Sequence, residues 1–177
     1  MQALLRLSAA IDALNRHIGR AMVWLVLLCV LLSALAATLR YTLDWGSNAL
    51  IESQWFLFGL VFLLCAPWTL QEGGHVRVDI LYHRLPPRAR VWIDILGALL
   101  FLLPVSLLIV WDGWSSFLLS FRQNEMSFNP GGLWWWPMKL AIPVAFALLA
   151  AQGLSEIVKR VAALRGLRPL PEAVGGH

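Results

Sequence analysis

Three stretches of this chain run apolar without a single charge: Met22 to Leu39 over 18 residues, Trp55 to Leu70 over 16 and Ile95 to Trp111 over 17. A fourth, Leu140 to Leu154, begins directly after Lys139. A bilayer core takes about 20 helical residues, so each run with its flanks has the length of a membrane-crossing helix. Strands of a closed barrel would instead alternate apolar and polar over about ten residues. The pattern therefore predicts an all-α integral membrane bundle of four transmembrane helices, with spans near residues 22–40, 49–71, 89–112 and 134–157.

Ahead of the first span, Leu4, Leu7, Ile11, Leu14 and Ile18 recur at alternating spacings of three and four, with Arg6, Asp12, Asn15, Arg16 and Arg20 elsewhere around the helix. This predicts an amphipathic helix over residues 1–21, lying on the membrane interface. Ser33 to Ala37 offers the small residues of a signal-peptide cleavage site, but the leading segment is long and patterned and the apolar run continues to Leu39. Pro67 should kink the second span. Between spans two and three, residues 75–85 begin by alternating, and Asp79 fits the N-cap of a single turn that stops at Pro86-Pro87. Span three could extend from Val91 to Phe121, and Asp112-Gly113 is its expected bend or exit point. Gln123 to Gly132 reads as an external loop. Trp134, Trp135 and Trp136 then mark a membrane–water interface, where indoles prefer to sit. The membrane domain covers residues 22–160, and 161–177 form a tail without sustained periodicity.

Composition agrees: 59% of the 177 residues are hydrophobic and 14% charged, against about 25% charged in soluble domains. The four spans leave no room for a separate soluble domain of ordinary size. A net charge of +4 would be compatible with nucleic acid, but position decides otherwise. Eleven of the 14 Lys and Arg residues fall in the N-terminal segment, between spans two and three, or after span four; only Arg40, Arg122 and Lys139 fall on the other side. By the positive-inside rule both termini are cytoplasmic, and the basic residues serve topology and contact with anionic lipids, not nucleic acid. Cys29 and Cys65 lie within apolar spans, without the spacing of a redox pair. No histidine lies within a span, which argues against haem held between helices.

Charges near the membrane are the natural place to seek chemistry. Glu52 lies about one turn inside span two and Lys139 about one turn inside span four, at similar depth and of opposite sign. They could pair with each other, be matched by a partner subunit, or snorkel outward separately. Trp55, three residues after Glu52, could shield such a pair. Asp94 is most simply matched by Arg77, Arg88 or Arg90. There is no catalytic triad, no clustered ligand set and no mid-membrane carboxylate of the kind a coupled transporter needs. An enzyme is not expected, no cofactor is expected in this chain, and the bundle looks built to hold something else.

Read together, ESQW (Glu52 to Trp55), HVRVD (His75, Arg77 and Asp79), NEMS (with Glu125 and Ser127), PMKLAIP (with Lys139) and then Gln152 follow an order that resembles the small membrane (Q) subunit of tripartite ATP-independent periplasmic (TRAP) transporters, the DctQ-like family. The resemblance covers roughly residues 20–160, and HVRVD is its most specific part. It implies a bacterial inner-membrane transporter of three proteins. A periplasmic solute-binding protein captures an organic anion, a large elevator-type subunit moves it on a sodium gradient, and the small subunit braces the large one. The sodium and substrate residues would belong to the large subunit, here a separate chain, so none carries over. The motif residues remain as structural or partner-contact candidates. Gly131-Gly132 and the three tryptophans depart from the family's outer loop. Two other four-helix classes fit less well. A dimeric small exporter usually carries a glutamate in the middle of its first helix, and a quinone-linked thiol oxidase needs pairs of exposed cysteines.

Overall fold

The computed structural model describes residues 1–74, 85–167 and 169. It is all-helical: α1 (Gln2–Leu43), α2 (Asn48–Gln71), α3 (Pro87–Arg122) and α4 (Trp136–Leu164). All four are long and apolar enough to cross a membrane. The segment holding His75, Arg77 and Asp79, with the expected single turn at Asp79, lies outside the described residues, as do residues 170–177.

The helices alternate in direction. One end of the bundle, the hairpin end, therefore carries the α1–α2 turn and the α3–α4 connection, and the other carries both termini. Helix α4 is the centre. It packs on each of the other three, α1 also packs on α2, and α3 meets the bundle chiefly through α4. In the most apolar stretch of α4, 39% of residues are buried, against 6%, 6% and 11% in α1, α2 and α3. Its inward face is built largely from small residues, including Ala141, Ala145, Ala150, Gly153, Ala162 and Ala163. Small residues let helix backbones approach closely where lipid supplies no hydrophobic drive between helices.

Two expectations change here. No break separates an interfacial helix from the first span: α1 is one helix of 42 residues, about 63 Å at 1.5 Å per residue. Its stripe Leu4, Leu7 and Leu14 is exposed, whereas Ser8, Asn15, Gly19 and Met22 are buried. Helix α3 also continues through Asp112-Gly113 instead of bending there. A Cβ on Gly113 would lie 3.2 Å from Pro143 Cδ, so this glycine serves close α3–α4 packing. The irregularity of α3 is a π-helical turn at Ala98–Leu102. It closely precedes Pro104, whose missing N–H and bulky ring disturb the preceding turn.

Candidate functional site

Most of the buried polar groups gather in two clusters, one at each end of the bundle. At the hairpin end the centre is Glu52, one turn into α2 and only 5% exposed. Its carboxylate is enclosed by the α3–α4 connection, which folds back as a short hairpin. Met126 and Trp134 pair across it, and the Ser127 N–H donates to the Leu133 carbonyl at 2.9 Å. Ser127 Oγ donates to Glu52 Oε1, Asn129 Nδ2 donates to the same oxygen at 2.8 Å, and the Leu133 N–H donates to Oε2 at 2.7 Å. All three donors are neutral. The hairpin is fixed to α2 a second time where Asn48 Nδ2 donates to the Pro130 carbonyl at 3.0 Å. Gly132 is demanded by this closure, since a Cβ there would fall 2.5 Å from Ser127 Cβ and 2.7 Å from Glu52 Oε2.

Lys139 ties the same connection to α4 by an ion pair with Glu125. Hydrogen bonding from the ammonium holds the Glu125 carboxyl below the usual carboxylate range. Of the outcomes left open for Glu52 and Lys139, pairing with each other does not occur: each has a separate partner, because the connection between α3 and α4 supplies donors for one and a carboxylate for the other. Nor does Trp55 cover Glu52. Trp55 is turned outward and 69% exposed.

The cluster at the termini end joins α1 to α4. Asp12 Oδ1 accepts from Ser155 Oγ at 2.7 Å and Gln152 Nε2 at 2.9 Å, and Asp12 Oδ2 accepts from Lys159 Nζ at 2.9 Å. Asn15 Nδ2 donates to Gln152 Oε1 at 2.7 Å, the Ser8 and Ser155 hydroxyls share a hydrogen bond of 2.7 Å, and Glu156 pairs with Lys159. Ser8, Asn15, Gln152 and Ser155 are fully buried. With its amide oriented by its neighbours, Gln71 of α2 donates to the Asp12 carbonyl at 3.1 Å and accepts from Arg16 at 2.8 Å.

Helix α3 is tied in by Asp94, which pairs at 3.2 Å with Arg160 of α4, a partner distant in sequence that proximity along the chain had not suggested. A cavity of about 810 Å³ opens beside this pair between α2, α3 and α4, with largely apolar walls that include Phe101, Val105 and Phe146. Among the described residues, no three His, Cys, Asp or Glu side chains converge as a metal site would require.

Of the residues singled out in the sequence, Glu52, Ser127, Glu125 and Lys139 come together at the hairpin end, and Gln152 and Asp94 lie at the termini end. Asn129, Leu133, Ser8, Asp12, Asn15, Ser155 and Lys159 had not been singled out. Between the clusters, Met22 to Leu39, Trp55 to Leu70, Ile95 to Trp111 and Leu140 to Leu154 contribute no charged side chain. The chemistry on offer is cohesion: Glu52, Glu125 and Asp12 are occupied by donors from other elements of the same chain, and Glu156 by Gln152 and Lys159 of its own helix.

A search among functionally characterised proteins gives no match. The family model described as the DctQ component of tripartite ATP-independent periplasmic transporters matches residues 30–163. That interval takes in the hairpin cluster and the α4 half of the termini cluster. The chain is a multi-pass membrane protein and belongs to the DctQ family of TRAP transporter components.

Proposed function

We propose that this chain is the small permease subunit of a TRAP transporter in the bacterial inner membrane, with both termini cytoplasmic. It braces a large elevator-type subunit, a separate chain, through which an organic carboxylate from a periplasmic solute-binding protein enters with sodium. This reading places sodium coupling in the large subunit and gives the present chain no cofactor. The carrying observation is the distribution of polarity. Among the described residues, buried charge is confined to the two ends of the bundle, and the apolar middle offers no carboxylate to carry an ion. A bundle clamped at both ends is suited to be a fixed brace, and the 11 to 3 distribution of Lys and Arg supports the orientation.

The test is purification in mild detergent after co-expression with the large subunit. A hydrophobic partner of about a dozen spans should remain bound, and vesicles containing only this chain should take up no carboxylate. Uptake by the chain alone would overturn the brace and favour a self-sufficient transporter.

A further inference from the structure

The hairpin over Glu52 is built inside out. Along its extended arm, successive side chains point to opposite sides. Ser127 and Asn129 turn inward onto the Glu52 carboxylate, while Met126 and Phe128 turn outward. Phe128 is 97% exposed, and Met126 and Trp134 are each more than half exposed. No charged residue occurs from Met126 through Met138. Ser127 and Asn129 spend hydrogen bonds on Glu52, and although Asn129 remains accessible, the large side chains of the outer face, Met126, Phe128 and Trp134, are apolar or aromatic. A loop standing in water would reverse this arrangement.

Helix α2 measures the depth of this face. Its 24 residues span about 36 Å, between the roughly 30 Å of the hydrocarbon core and the 40–45 Å of a whole bilayer. Its two ends must therefore lie close to the two interfaces. The hairpin is fixed to the first residues of α2 through Asn48 and Glu52, and so lies beside the membrane entry point and not above it. Other exposed aromatics share that end: Tyr41 and Trp45 flank the α1–α2 turn, and Trp55 projects from α2.

We infer that the hairpin Met126 to Trp134 is a lipid anchor, with Met126, Phe128 and Trp134 seated at the headgroup–acyl boundary of the leaflet at the hairpin end. The partner is the phospholipid bilayer itself, because an uncharged aromatic surface at interface depth matches the chemistry of that layer. Glu52 gives the anchor its orientation by holding the polar side chains away from lipid. The inference does not rest on the proposed transport role.

The test uses the full chain with Cys29→Ser and Cys65→Ser, carrying a bimane label at Phe128→Cys, in vesicles of phosphatidylethanolamine and phosphatidylglycerol. The exposed turn residue Asp44, labelled as Asp44→Cys, is the water-side control. The label at position 128 should emit to the blue of the control, be quenched by nitroxide-bearing lipid and resist aqueous iodide. Phe128 is almost free of protein contact, so its replacement leaves the fold intact, and protease resistance of the labelled chain checks this. Emission and iodide quenching equal to the control would overturn the anchor. Protection from iodide that appears only when the large subunit or the solute-binding protein is added would also overturn it, by assigning the face to a protein.

Discussion

The two polar clusters solve one problem with opposite means. At the hairpin end the buried Glu52 carboxylate is surrounded by neutral donors, all contributed by one connection, and the half-exposed Glu125–Lys139 ion pair fastens that connection to α4. At the termini end two long helices exchange charges and amides directly, with Asp12, Glu156 and Lys159 sharing a network around Gln152. The first fastens a loop to a helix; the second sets the register of α1 on α4. The difference teaches where failure should be local and where it should be global. Opening the hairpin leaves four packed helices, whereas breaking the Asp12 network loosens α1 from the central helix.

The sharpest break should come from Asp12→Leu. It leaves Lys159 and the Gln152 amide with Glu156 as their remaining acceptor and the Ser155 hydroxyl with Ser8 alone, for a cost of about 3 kcal/mol. Unfolding of the purified chain in detergent should report a loss of that order, and an unchanged midpoint would show that the network contributes nothing to cohesion. Next, Gly132→Ala should cost about 2 kcal/mol, in the range for overpacking. Its effect should be regional: protease cleavage within residues 123–135 should rise while α1–α4 protection stays as in the parent. Cleavage spreading to α1 would erase the proposed contrast between the two ends.

A double-mutant cycle then sharpens the hairpin end. Glu125→Gln and Lys139→Met should be coupled because they are direct partners, though weakly, as expected of an ion pair that water still reaches. Glu52→Gln and Lys139→Met should be nearly additive. Equal coupling in both pairs would mean that the two anchorages act as one. The smallest effect concerns pH. The Glu125 carboxyl is depressed by Lys139, so the stability from this pair is present above the unfolded-state carboxyl value and is lost only as pH falls through the lower folded value. Amide exchange in the hairpin should therefore be indifferent to the state of this pair between neutral and mildly acidic pH, and should rise only in stronger acid.

The four helices were legible because charge-free apolar runs of 15 to 18 residues are too long for buried strands and too uniformly apolar for the surface helices of a soluble domain. The importance of Glu52 and Lys139 was legible as well, from their depth and rarity. The partners of Glu52 were not, because a hairpin that folds back over a helix brings together residues some 75 to 81 positions apart. The termini cluster was missed for a different reason. Reading α1 by its stripe of leucines consigned Ser8, Asp12 and Asn15 to water, as in a soluble amphipathic helix. In a membrane bundle the logic inverts: exposed leucine is ordinary, and polar residues seek other helices. The signal was present as Ser8, Asp12, Asn15 and Gly19 at spacings of four, three and four, matched by Gln152, Ser155 and Lys159 at three and four.

The central place of α4 also bears on biogenesis. The helix that contacts all the others is the last of the four to leave the ribosome, and α3 gains its main packing surface only from it. Until then Ser8, Asp12 and Asn15 of α1 have no α4 groups to bind, and the connection over Glu52 lacks its ion pair with Lys139. A nascent chain stalled before Trp136 should therefore hold only its α1–α2 pair, with protection of α3 and of the whole bundle arriving late, when Leu164 clears the translocon. Early protection of α3 in such stalled chains would contradict this order. Folding of the bundle is thus gated by the emergence of its fourth helix, which holds back assembly until all four spans are in the bilayer.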